Sequence, residues 1–250
     1  MVIPASDNGH NAFDSIIEVM QCGFSDSLIC RPSSVEWIQG RKRVDNGARY
    51  SEDMHVIAGR FKGVALEAAK AGTRPTTDRT KEAIFSRLDA WGVLRDARIL
   101  DLYAGTGALG IEAMSRGGQE LVSVESAAPM TAAIAKTLTS LKRHSAWSND
   151  MRAVAVRGKA ERYVERYSGS AFDVVFIDPP YAVSTEDCEE LLGNMVGAHM
   201  LDPDALIVLE RSARSEQPVP PEGWQISERR VYGETAVYYI ESLPSQQGDE

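Results

Sequence analysis

The residues best suited to chemistry are Asp178-Pro179-Pro180-Tyr181, which directly follow the apolar run Phe172-Asp173-Val174-Val175-Phe176-Ile177. Proline fixes its own φ, lacks an N–H and pushes the preceding residue out of the helical region. Two in succession make a stiff, extended ledge at a strand end, with carbonyls that can face a ligand. An acceptor carboxylate, Asp178, stands before the ledge, and an aromatic face, Tyr181, stands after it. The arrangement suits a flat ring bearing an exocyclic amino group, stacked on Tyr181, with its N–H bonds directed at Asp178 and a proline carbonyl. Such an amine is a poor nucleophile because its lone pair is delocalised into the ring. Accepting both hydrogens draws that lone pair back toward nitrogen. A strand followed by a plain proline turn explains the same four residues, so a second motif has to decide.

That motif is Ala104-Gly105-Thr106-Gly107-Ala108-Leu109-Gly110, which follows the short apolar strand Arg98–Tyr103 and opens a helix. Glycine lets a backbone turn tightly and approach a ligand closely. Gly105, Gly107 and Gly110 fit the G-x-G-x-x-G fingerprint, and Glu125 ends the next strand, where an acid reaches a ribose hydroxyl pair. Both a nicotinamide cofactor and S-adenosylmethionine (SAM) present an adenosine ribose to such an acid, so these residues alone leave the cofactor open. Asp101 is placed to orient the loop backbone, and Tyr103 to pack under a cofactor or in the core. Glu210, ending a later strand, can face the site or make a structural bond.

The elements around these motifs alternate. Strands are predicted over 98–103, 120–125, 152–157, 172–177 and 204–210, and helices over 107–117, 127–142, 160–167 and 185–198. This pattern signals a parallel sheet with helices on both faces. Trp224–Val231 and Thr235–Glu241, joined at Tyr232-Gly233-Glu234, read as a terminal antiparallel hairpin. Upstream, Met54–Glu67 reads as two short strands around Gly59–Gly63. Thr76, Thr77 and Asp78 form a helix N-cap cluster leading into Lys81–Ala90. Residues 1–53 offer few apolar residues for a core and are expected to be a largely disordered extension. The segment 54–96 is expected to face the substrate, 97–241 to form the catalytic domain, and 242–250 to be a disordered tail.

The composition sets outer limits. A chain of 250 residues fits one α/β domain with appendages and buries roughly 70–75% of its unfolded surface. No apolar run approaches the ~20 residues of a membrane span, and no secretory signal pattern is present. Cys22, Cys30 and Cys188 form neither metal-ligand spacing nor an even framework, as suits a cytoplasmic protein. A net charge of −9 argues mildly against a nucleic-acid partner. Residues 54–98, however, hold nine Lys/Arg against five Asp/Glu, and a local basic patch can supply phosphate attraction on an acidic protein. Arg74 and Arg79 straddle a helix start, where they oppose the macrodipole, and residues set against local preference point to a ligand.

Asp101-Leu-Tyr-Ala-Gly-Thr-Gly107 resembles the first motif of class I SAM-dependent methyltransferases, and Asp178–Tyr181 resembles the fourth motif of their amino-methylating members. Val56-Ile-Ala-Gly-Arg-Phe-Lys-Gly63, Arg74-Pro-Thr-Thr-Asp-Arg79 and Lys81-Glu-Ala-Ile-Phe85 narrow the likeness to the bacterial family that methylates the N2 of a guanine in 16S ribosomal RNA. The likeness runs from about Met54, where members of that family begin, to Ile240. It implies a Rossmann-like seven-stranded, mostly parallel sheet and SAM as cofactor. The cofactor set would be Asp101, Tyr103, Ala104, Gly105, Gly107, Glu125, Lys159 and Ala160. The catalytic set would be Asp178, Pro179, Pro180 and Tyr181. Arg60, Lys62, Arg74, Thr76, Thr77 and Arg79 would meet the RNA, as naked 16S rRNA or within the small ribosomal subunit. The protein is expected to act as a monomer, without a metal. The family often carries Asp or Asn where the third strand ends, contacting the adenine ring; here Lys159 stands in that place.

Three rivals remain at this level. An N6-adenine methyltransferase of DNA would use the same four residues, but such enzymes usually carry a large target-reading domain. A nicotinamide oxidoreductase would explain the glycines and leave Asp178–Tyr181 idle. A SAM-binding module that regulates RNA without turnover has no need of an intact Asp178–Tyr181.

Overall fold

The computed structural model describes residues 54–67 and 78–244. The extension 1–53, Arg74, Thr76, Thr77 and the last residues of the expected tail lie outside them. Seven strands form one sheet: β1 (Arg98–Leu102), β2 (Glu120–Glu125), β3 (Arg152–Arg157), β4 (Phe172–Ile177), β5 (Leu201–Ser212), β6 (Trp224–Tyr232) and β7 (Thr235–Ser242). Their order is β3-β2-β1-β4-β5-β7-β6. β1 to β5 are parallel, and β7 runs antiparallel between β5 and β6. Among the described residues, five α-helices accompany the sheet: α1 (Asp78–Trp91), α2 (Ala108–Ser115), α3 (Ala128–Leu141), α4 (Ala160–Glu165) and α5 (Thr185–Gly197).

The strand periodicity of two sorts the core into layers. Ile99, Val174, Phe176, Val208 and Tyr239 point to one face and pack with Phe85 and Leu88 of α1, Met114 of α2 and Ile134 of α3. Leu100, Leu102, Val175, Ile177 and Leu209 point to the other and pack with Val164 of α4 and Leu192 and Met195 of α5. Burial on both faces explains the apolar run Val174–Ile177 of β4. A capping box at Ser184 and Asp187 starts α5, and Gly233 at φ +61° makes the turn between β6 and β7.

The segment 54–67 differs from expectation. It turns back as a hairpin would, but it holds a single antiparallel bridge, His55 to Ala65, around a short 3-10 turn at Gly59–Phe61. The reason is where its donors go. The N–H groups of Ile57 and Ala58 reach the Glu112 carboxylate at 2.7 and 3.0 Å, and that of Phe61 reaches Ser115 Oγ at 2.9 Å. Donors spent on α2 cannot extend a ladder. Gly59 permits this docking: its φ is +79°, and a Cβ there would lie 2.1 Å from the Ser115 carbonyl oxygen.

Candidate active site

Because β1 to β4 are parallel, the loops after them open along one edge, and the two motifs meet there. Leu102 of β1 lies opposite Ile177 of β4, so the glycine loop and Asp178 leave the sheet side by side. Gly105 and Gly107 take φ of +56° and +76°, turning the chain into α2. Tyr103 also adopts a left-handed φ, +57°, and its hydroxyl donates to Glu161 at 2.6 Å.

Two carboxylates wire this loop. Asp101, 1% exposed, accepts the Gly110 N–H at 3.0 Å. A Cβ on Gly110 would sit 2.9 Å from that carboxylate and 2.6 Å from Leu121, so the third glycine is needed for close packing. Burial, aided by the charges of Asp178 and Glu125, pushes the Asp101 carboxyl up to about 8, although the Gly110 bond opposes the shift. Glu125 accepts the Gly105 N–H at 2.9 Å on one oxygen and the Ala127 N–H at 2.7 Å on the other. The Ser126 hydroxyl also donates to it at 3.3 Å. A carboxylate offers about four acceptor positions, and that hydroxyl is free to rotate away, so Glu125 can still accept from a ribose. A Cβ on Gly105 would meet nothing nearer than 3.9 Å, leaving open space beside that carboxylate. The residues therefore fit an adenosine-bearing cofactor. Ala104 joins the same wiring through its N–H to the Val124 carbonyl at 3.0 Å.

On the far side of the cleft, Gly158 donates to the Glu125 carbonyl at 3.0 Å. Lys159 follows as the N-cap of α4, exposed, and Ala160 is buried beneath it. Lys159 thus borders the cleft with its ammonium in solvent.

The acceptor side is built differently. Asp178 is exposed, Pro179 is buried, and Tyr181 is 77% exposed. Val183 donates to the Pro180 carbonyl at 2.9 Å, closing a turn and leaving the Pro179 carbonyl outside it. Ile177 pairs with Leu209, so Asp178 and Glu210 are the next residues on neighbouring strands. Glu210 is 3% exposed, and its Oε1 has no hydrogen-bond partner. Burial, with the charges of Asp178 and Asp101, holds it well above the usual carboxylate range. Four acids thus line one edge, two deeply buried and two open to a ligand. The sequence left Glu210 undecided; only strand register shows that it backs Asp178.

Of the expected RNA-facing cations, Arg60 and Lys62 lie away from this edge. The Arg60 guanidinium lies 3.2 Å from Met151 Sδ, just before β3, at the opposite edge of the sheet from Asp178. Lys62 is exposed on the same turn. Arg79 is exposed near the start of α1, while Lys81 is buried and donates to the His55 carbonyl at 3.3 Å. Arg87 is bound to Glu228 of β6. Arg98 sits over the Phe172 ring and bonds Glu120 and Tyr167. Several members of the basic stretch are therefore committed to holding the fold.

Among the described residues there is no group of His, Cys, Asp and Glu suited to a metal ion, and no helix is long and apolar enough to cross a membrane.

Comparison with known proteins follows the same boundaries. The model of a family described as conserved hypothetical protein 95 matches residues 54–241. "Putative rRNA methyltransferase YlbH" of Bacillus subtilis is 35% identical over 189 residues, which is 74% of this chain and 96% of the relative. "Ribosomal RNA small subunit methyltransferase D" of Escherichia coli K12 is 30% identical over 187 residues, 74% of this chain and 88% of the relative. Among solved structures, "Putative methyltransferase yhhF" of Escherichia coli superposes with a TM-score of 0.64 at 29% identity, covering 76% of this chain and 99% of that one.

Proposed function

The chain belongs to the conserved hypothetical protein 95 family, and from that premise we propose that it is a SAM-dependent rRNA methyltransferase whose target is the exocyclic N2 of a guanine in small-subunit RNA. The observation that carries the finer reading is the Asp178–Tyr181 ledge, placed one strand away from the glycine loop at the same edge of the sheet. SAM, when bound, supplies an activated methyl group on a sulfonium. The protein contributes binding, alignment and polarisation.

Glu125 holds a ribose hydroxyl pair, and the turn at Gly105 and Gly107 admits the rest of the cofactor. Tyr103, Ala104, Lys159 and Ala160 border the same cleft. Asp178 and the Pro179 carbonyl accept the two N–H bonds of the amino group and draw its lone pair toward nitrogen. Asp178 is then the nearest base for the proton released on methylation. Tyr181 stacks on the base. Its exposure fits a side chain that finds its partner in the substrate. A guanine can reach this ledge only when unpaired and turned out of its stack, as in a loop of structured RNA. Residues 97–241 would form the catalytic domain, with the described parts of 54–96 (54–67 and 78–96) packed against it.

The DNA N6-adenine reading uses the same ledge but needs a target-reading element, and among the described residues only short loops surround the site. A nicotinamide enzyme leaves the ledge without a task. Calorimetry should give SAM and S-adenosylhomocysteine binding and no NAD binding; NAD binding alone would sink the reading. Small-subunit RNA from a deletion strain should lack one N2-methylguanosine, restored by the wild-type gene. An unchanged guanine pattern would refute the proposed target.

A further inference from the structure

Beyond the cleft, on the outer side of α4, runs a groove between that helix and β3. Arg157, Lys159, Arg162 and Arg166 line it, with Tyr163 and Tyr167 as its aromatic wall. It begins at Ser126 and Gly158, beside Glu125, and extends along α4 to Gly169. No acidic residue lines it. The acids of α4, Glu161 and Glu165, lie outside the lining, and Glu161 is engaged by the Tyr103 hydroxyl.

Arg87, Arg98, Arg116, Lys136, Arg214 and Arg230 each pair with a carboxylate. The four groove cations are all exposed, and among the described residues none has such a partner. Exposed cations without a carboxylate partner also occur elsewhere, at Lys62, Arg95, Lys142, Arg143 and Arg152 for example. The groove differs in gathering four along one cavity without an acid, whereas Glu120 stands among Arg98, Lys142 and Arg152 in the cavity beside β2 and β3. The spacing of the groove cations has a simple origin. Arg162 lies in α4 and Arg166, four residues on, caps its C-terminal end, while Arg157 and Lys159 are two apart in the extended stretch leading into it. In a chain of net charge −9, a row of unneutralised cations beside the active cleft is a local attraction that a polyanion would feel over the general repulsion.

We propose that this groove binds the RNA backbone next to the target nucleotide, with Arg162 and Arg166 each contacting a phosphate. The proposal rests on the reading of the protein as an rRNA methyltransferase and locates its phosphate contacts. It moves them from the turn carrying Arg60 and Lys62, at the opposite edge of the sheet, to the lip that carries Lys159. The ligand chemistry is a run of phosphodiesters and not a single phosphate, because the cations are strung along the groove and not gathered at one point. The groove cations supply affinity and orientation and no sequence reading.

The test uses the full chain and deproteinised small-subunit rRNA from a strain lacking the gene, with binding measured across a salt series. Removing one cation that neutralises a phosphate should lower the slope of log K against log salt by about 0.7–0.9. Replacing Arg162→Gln and Arg166→Gln together should therefore lower it by about 1.4–1.8. It should also raise the KM for RNA with kcat and SAM affinity unchanged. The pair Arg162→Lys and Arg166→Lys should keep most of the slope, and Arg166→Gln alone should show about half of the double effect. A Gln pair with wild-type slope and wild-type KM overturns the groove while leaving the reaction intact. Wild-type protein that transfers no methyl group either to this RNA or to small ribosomal subunits from the same strain overturns the functional reading, and the groove with it.

Discussion

The two halves of the catalytic edge are finished to different degrees. The glycine-loop half is wired internally: Asp101 holds Gly110, and Glu125 holds both Gly105 and Ala127. The acceptor half exposes Asp178 and leaves Tyr181 77% accessible, on either side of two prolines. A site for a small, invariant cofactor can be built completely by the chain. A site for one base of a large RNA has to stay open until that base supplies the remaining partners. Cofactor affinity and turnover should therefore be separable by mutation.

The largest effect should come from the open half. Asp178→Ala should lower turnover by on the order of 10²–10³, the range for removing a group that acts on developing charge, with little loss of SAM affinity by calorimetry. An equal loss of cofactor affinity would make Asp178 a structural residue and erase the division. The wired half should respond in the opposite way. Glu125→Ala should weaken SAM binding by roughly 1–3 kcal/mol, the cost of charge-assisted hydrogen bonds. The Gly105 and Ala127 N–H groups also lose their acceptor.

Asp101 extends the contrast to pH. Its carboxyl is raised from an ordinary 3.8 to about 8, mainly by burial. The stability it contributes is therefore fully present below about pH 4 and is lost as pH rises through about 8. Urea midpoints of the wild type should fall relative to Asp101→Asn across that window, and parallel curves would show that the group titrates normally. The smallest effect belongs to Tyr181. Stacking needs the ring, so Tyr181→Ala should raise the KM for RNA by about tenfold, in line with roughly 1–3 kcal/mol per stacked base, and Tyr181→Phe should leave it near wild type. Equal effects would assign the work to the hydroxyl.

Much of this edge was legible in the sequence because its parts are local. Strand periodicity, glycine fingerprint and proline ledge are each written within about ten residues, and the strands and helices fall within a few residues of expectation. What stayed hidden depends on contacts between distant segments. The docking of Ile57 and Ala58 on Glu112 spans more than fifty residues, and no periodicity encodes it. The same docking carries Arg60 to the edge away from Asp178, against the expectation that it borders the site. Glu210 gained meaning only from the register that sets it beside Asp178. Arg157, Arg162 and Arg166 carried no assignment in the sequence, and Lys159 was placed with the cofactor; the turn from β3 into α4 lines up all four along one groove.

The central claim is that Asp178 and its ledge direct a methyl group to guanine N2. The most direct measurement is transfer of label from methyl-labelled SAM by the purified full chain to small-subunit RNA from the deletion strain, with the RNA digested to nucleosides. The expected result is label in N2-methylguanosine with the wild-type protein and almost none with Asp178→Ala. Label in N6-methyladenosine, or undiminished N2-methylguanosine from Asp178→Ala, would contradict the account.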